Sequence, residues 1–170
     1  MSDAHIATRG FTLIELLVTM AVAAILLTVA LPNFQNFVIN SRMATQANDL
    51  ITALNMARSE AVKRGANVTI CASSNQTSCT GGWQQGWIVA AAGTPIRVQQ
   101  ALGGASALAG GADVASTITF NSSGRTTIPA AATAASTTFT LCPPSPAAVQ
   151  GRAIQIERTG RTRVSAVACP

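Results

Sequence analysis

Apolar positions change their spacing twice along the chain, and each change marks a new element. From Phe11 to Leu31 there is no polar face at all: twenty-one positions carry a single charge, Glu15. As a helix this run is about 30 Å long, enough to cross the hydrocarbon core of a bilayer. Beyond Pro32 the apolar residues thin to Ala47, Leu50, Ile51, Leu54, Ala57 and Ala61, three and four apart, which predicts an amphipathic helix. Lys63 and Arg64 suit the negative end of that helix, and Gly65 suits its left-handed cap. The pattern therefore predicts one helix from Phe11 to Arg64, bent or loosened where Pro32 removes a hydrogen bond.

After Gly65 the spacing shortens to β-rich runs between turn residues. Strands are expected at Asn67 to Ala72, Gly86 to Ala91, Ile96 to Ala101, Ser116 to Asn121, Thr137 to Cys142, Ala153 to Arg158 and Thr162 to Val167. Gly103 to Gly111 and Ala130 to Ala135 read as loops. The fold class is α+β, a long N-terminal helix packed on an antiparallel β-sheet head. By pattern its parts are a short N-terminal segment (1–10), an apolar helix long enough to be transmembrane (11–31), an amphipathic half-helix (32–64) and a head (65–170).

The apolar run has three ordinary readings: a signal peptide, a membrane anchor or a buried helix. A signal peptide would be cleaved after the run, and Thr28-Val29-Ala30 could serve. Two features oppose it. Glu15 sits inside the run, where an ionised carboxylate is costly in lipid, and the helical pattern continues past Leu31. Arg9 and Asp3 on one side and Arg42 on the other leave orientation undecided by charge.

Composition adds the compartment. Cys71, Cys79, Cys142 and Cys169 make an even count in a chain that reads as exported, which predicts two disulfides. Of the three pairings, Cys71 with Cys79 and Cys142 with Cys169 is preferred, because each closes a local loop. No CxxC spacing and no histidine in the body supports zinc, and no aspartate cluster supports calcium. Aromatic residues are scarce, so at least one of Trp83 and Trp87 is expected in the core.

Gly10-Phe11-Thr12-Leu13-Ile14-Glu15, followed at once by the apolar run, resembles the class III signal of type IV prepilins and pseudopilins. The resemblance implies cleavage after Gly10 by the prepilin peptidase and N-methylation of Phe11, with His5 leaving in the leader. It also implies that Glu15, one helical turn from Phe11, meets the terminal amine of a neighbouring subunit during assembly. The head resembles the GspH/FimT group of minor pilins and pseudopilins through the segments Leu54 to Ala61, Trp83 to Val89, Phe120 to Arg125 and Gly160-Arg161. Ala90, Ala91 and Ala92 depart from the aromatic and acidic residues usual after the Trp-Gly-Trp segment, which puts the packing of that hairpin in question.

The net charge is +5, and four arginines with one acid, Glu157, follow from Arg152 onward. Residues 152–167 read as a hairpin. A two-residue loop would set Ile156 beside Arg163. An odd loop centred on Gly160 pairs Ile156 with Val164, Ile154 with Ala166 and Glu157 with Arg163, consistent on both faces. Some FimT-like proteins of naturally competent bacteria bind DNA through a basic C-terminal GRxR segment, and Gly160-Arg161-Thr162-Arg163 matches it. The resemblance implies phosphate binding by Arg158, Arg161 and Arg163, with Arg152 and Arg125 as further candidates. The competing reading is a solubilising hairpin or a face that docks on other pilins.

No catalytic constellation can be assembled. The leader takes the one histidine, the head has only Asp113 and Glu157 beyond its helix, and there is no GxSxG elbow or P-loop. No cofactor is expected. The expected role is a minor pilin of a type IV pilus, with DNA uptake as a further function. The alternative is a minor pseudopilin of a type II secretion system. The expected partners are other major and minor pilins, the prepilin peptidase, the inner membrane and DNA. The expected location is the bacterial inner membrane, single-pass with a periplasmic head, then the filament or its tip.

Overall fold

Thr12 begins the first helix because its side chain can do what the missing preceding turn cannot. Its Oγ1 accepts from the amide of Glu15 at 3.3 Å, and its carbonyl accepts from Leu16 at 3.2 Å. This is an N-cap, with Glu15 at the third helical position, where its charge also favours the positive helix end. In the computed structural model α1 spans Leu13–Arg64. The structure describes residues 11–111, 114, 116–127, 136–145 and 147–169, and only the backbone of Val29 and Pro32 within α1. The leader with His5 and Gly10, Asp113, and the expected loop Ala130 to Ala135 lie outside the described residues.

The chain forms two compact units, Met1–Phe37 and Val38–Pro170. In the first, Leu16, Leu17, Val18, Ile25 and Leu27 are all exposed. By length and composition this part of α1 can cross a membrane. In the second, α1 buries Met43, Ala47, Leu50, Ala53, Leu54, Ala57 and Ala61 against the sheets. The alanines let the strands approach closely, and the leucines fill the space between them. The helix ends in a Schellman motif: Gly65 at φ 62° donates to Val62, and Ala66 donates to Ala61.

Among the described residues nine strands follow: β1 Val68–Ala72, β2 Trp87–Ala91, β3 Thr94–Gln99, β4 Ala107–Gly110, β5 Thr117–Phe120, β6 Thr126–Thr127, β7 Ser136–Cys142, β8 Gly151–Glu157 and β9 Thr162–Val167. They make two antiparallel sheets, ordered β3-β2-β1-β5-β6 and β4-β7-β8-β9. The segment Gly103 to Gly111, expected as a loop, contains β4. Its residues are small and carry little strand signal, but β7 offers an edge and Leu108 faces the core.

Both tryptophans are core residues, and Trp83 meets Phe139 edge to face at 4.8 Å. The alanine run after Trp87 keeps its hairpin: Ala92 (φ 49°) and Gly93 (φ 81°) turn directly from β2 into β3. Positive φ at both central residues is the mark of a type I′ turn, whose twist matches the strands it joins. Cys71 is joined to Cys79 and Cys142 to Cys169, the pairs that close local loops.

The β8–β9 register differs from the expected one by two residues. Ile154 faces Val164, Gln155 faces Arg163 and Arg152 faces Ala166. The loop is Arg158 to Gly160, with Gly160 as its last residue and not its centre. Gly160 donates to the Glu157 carbonyl and Glu157 donates to Arg161, each at 2.9 Å. This is a type I turn closed by a left-handed glycine at φ 78°, a combination that fixes glycine in third place. A two-residue shift leaves every side chain on its expected face, so face-matching could not detect it.

Candidate functional site: a basic seam between two turns

The hairpin tip is held in place by the opposite sheet. Thr126 in β6 donates its amide to the Arg158 carbonyl at 3.0 Å, and its hydroxyl donates to the Glu157 carbonyl at 3.1 Å. Thr126 is buried, so these bonds are made away from competing water. They fasten the edge of the five-stranded sheet to the turn of the four-stranded one.

The β5–β6 turn that carries Thr126 into place is built like the β8–β9 turn. Gly124 donates to the Asn121 carbonyl and Asn121 donates to Arg125, each at 2.9 Å. Gly124 has φ 72°. The Asn121 side chain holds the loop further, accepting from the amides of Ser123 and Arg125 at 3.1 and 3.0 Å. Each turn thus places a left-handed glycine third and an arginine directly after it: Gly124-Arg125 and Gly160-Arg161.

The two glycines meet. A Cβ on Gly160 would run into the Gly124 carbonyl oxygen, and it would lie 3.1 Å from Nε of Arg58 on α1. A Cβ on Gly124 would also lie 3.1 Å from Arg58 Nε, and 3.2 Å from Val62. Both glycines are buried, while Arg58, Arg125, Arg158 and Arg161 are exposed. Backbone is packed tightly in the seam, the Arg58 Nε lies against it, and Arg125, Arg158 and Arg161 are carried on the two turns.

Of the arginines expected to act together, Arg125, Arg158 and Arg161 are brought to one place. Arg163 is half-occupied, its Nε 3.2 Å from Glu157 as a diagonal pair across the hairpin and not the directly opposed pair expected. Arg152 is not part of the cluster. It lies at the other end of β8, about 20 Å along the strand from Arg158, and donates to Asn40 of α1 at 2.9 Å. A strand separates its two ends by its length, however close in sequence they are.

Sequence reasoning does not reach Arg58, which reads there as one polar position on an amphipathic helix. The available signal was the repetition of Ser-Gly-Arg at 123–125 and Thr-Gly-Arg at 159–161. It identifies two like turns but not that they touch. Among the described residues no group of histidines, cysteines and acids could hold a metal ion. Glu15 is placed in the first turn of α1, as described above, and Phe11 is exposed just before it.

A long N-terminal helix packed on antiparallel sheets is the architecture of the type IV pilins. Residues 46–160 match the family described as Type II transport protein GspH, and residues 7–31 match the prokaryotic N-terminal methylation motif. The chain belongs to the GspH family, and it is a minor pilin or pseudopilin of a type IV pilus-like system.

It is 32% identical over 71 residues to a fimbrial protein of Pseudomonas aeruginosa, covering 42% of this chain and 46% of that protein. To a probable minor fimbrial protein of Dichelobacter nodosus it is 34% identical over 94 residues, covering 52% and 59%. The chain thus spans about half the length of the curated relatives it matches. Two crystal forms of the type IV minor pilin FimU of Pseudomonas aeruginosa share the fold. They align with TM-scores of 0.58 and 0.55 at 22% and 23% identity, covering 76% and 72% of this chain and 92% and 91% of theirs.

Proposed function

We propose that this protein is a low-abundance, non-catalytic subunit of a type IV pilus that binds DNA on its head, for uptake in natural transformation. The observation that carries the reading is the gathering of Arg125, Arg158 and Arg161 at one exposed end of the head. Glu157 beside them is already engaged by Arg163. Guanidinium groups on rigid turns bind phosphate oxygens without reading sequence, which suits a protein that must take DNA of any sequence.

Assembly in this reading follows from the other end. The prepilin peptidase cuts after Gly10 at the inner membrane and methylates Phe11, and the exposed apolar part of α1 moves from the lipid into a bundle of pilin helices. Glu15 pairs there with a neighbour's terminal amine, since an unpaired charge in an apolar bundle is costly. A second reading, a minor pseudopilin of a type II secretion system, is favoured by the family match over residues 46–160.

The test uses native protein extracted from membranes, whose intact mass is expected to begin at methylated Phe11. With three arginines neutralising phosphates, log K for duplex DNA against log salt should fall with a slope of about −3. Arg161→Gln with Arg163→Gln should lose DNA. Equal retention by wild type and this variant would remove the hairpin arginines as the DNA site, and failure of wild type to bind would leave the secretion reading.

A further inference from the structure

The hairpin is half of a larger element. The turns Asn121 to Arg125 and Glu157 to Arg161 share one hydrogen-bond pattern, one positive-φ glycine and one closing arginine. They belong to different sheets, yet their glycines are in contact, and Thr126 bolts one turn to the other. Arg58 runs beneath both, its Nε at the seam. The absence of a Cβ at Gly124 and Gly160 is what lets that stem lie there.

Among the described residues the ion pairs are Lys63 and Arg64 with Glu60, and Arg163 with Glu157. Among the described residues, therefore, no acid forms an ion pair with Arg58, Arg125 or Arg161. Three like charges held on rigid backbone repel one another, and a polyanion relieves that repulsion. Buried glycine contact fixes the two turn backbones that carry Arg125 and Arg161, so on binding only the side chains are left to order.

We infer that the DNA-binding element is this two-turn seam. Arg58, Arg125 and Arg161 together hold phosphates of a DNA backbone, and the Gly124–Gly160 contact fixes the two turns that carry Arg125 and Arg161. The inference rests on the DNA reading above and adds that the hairpin does not act alone.

The full chain in zwitterionic detergent micelles is titrated with a labelled duplex of random sequence at several salt concentrations. Arg58→Met keeps the stem and removes the charge. It should lower the salt slope by about 0.9 and weaken binding about eightfold at about 0.1 M salt. Arg58→Lys should keep the slope, and Arg125→Gln should lower it like Arg58→Met. Should Arg58→Met unfold, Arg125→Gln, an exposed position, carries the test by the same slope.

If Arg58→Met and Arg125→Gln keep the wild-type slope while Arg161→Gln with Arg163→Gln loses DNA, the seam is wrong and the hairpin acts alone. If wild type fails to bind the duplex, or binds only phosphatidylglycerol vesicles, both the seam and the DNA reading fall.

Discussion

Leu17 and Leu54 lie on the same helix and meet opposite fates: Leu17 is 53% exposed, and Leu54 is 1% exposed. The first part of α1 turns leucine, valine and isoleucine outward all round, whereas the second turns one stripe of leucine and alanine inward. An apolar surface as large as the first is not tolerated in water, so its solvent is lipid or other helices. The second part contributes its buried stripe to the core of the head. The two parts of one helix can therefore be changed independently.

The largest expected effect tests that independence. Leu54→Ala should destabilise the head by about 2–5 kcal/mol, because it leaves a cavity between α1 and the sheets. Leu17→Ala should shift the same transition by less than about 0.5 kcal/mol. Urea unfolding in micelles, followed by the fluorescence of buried Trp83 and Trp87, measures both. Equal losses would mean that the first part of α1 is packed in the folded head, and the contrast between the two would fail.

A smaller effect concerns where the buried part stops. Gly65 has φ 62° and nothing within 4 Å of a Cβ built on it. Gly65→Ala therefore meets no obstacle and costs only the left-handed conformation, about 1 kcal/mol by the same unfolding measurement. A loss as large as that of Leu54→Ala would show that the cap, and not the stripe, secures the helix on the head.

The smallest is electrostatic. Arg64 hydrogen-bonds Glu60 at 2.9 Å and holds its carboxyl below the usual carboxylate range, with Lys63 assisting. A pKa lowered by folding means that the pair favours the folded state above the unfolded carboxylate pKa. That contribution is lost as pH falls through the lowered value. Wild type should thus exceed Glu60→Gln slightly in unfolding midpoint at about pH 7, and the difference should shrink as pH falls through the lowered value. A difference that persists in acid would assign Glu60 a role other than this ion pair.

The helix, its cap at Gly65 and the seven expected strands were legible because each is specified within a few residues, and the cysteine pairs because each closes a loop within its own part of the head. Strand β4 was not, since Ala107 to Gly110 has almost no intrinsic strand preference and becomes a strand through the edge that β7 presents. The β8–β9 register escaped because a shift of two preserves faces, and only the turn geometry around Gly160 distinguishes the alternatives.

Of the proposed site, Arg125, Arg158, Arg161 and Arg163 were nominated through the family resemblance of the basic segment. Arg58 was not, and Arg152 was grouped with them only by its nearness in sequence. What the sequence determined alone was thus the local part: an apolar span, an amphipathic stripe, and two Gly-Arg pairs, at 124–125 and 160–161, each of which closes a turn in the structure. The tertiary structure decided that those turns touch and that Arg58 lies under both. The physical reason is that a turn's shape depends on its own few residues. The meeting of two turns depends on how two sheets stack on one helix, which no short segment encodes.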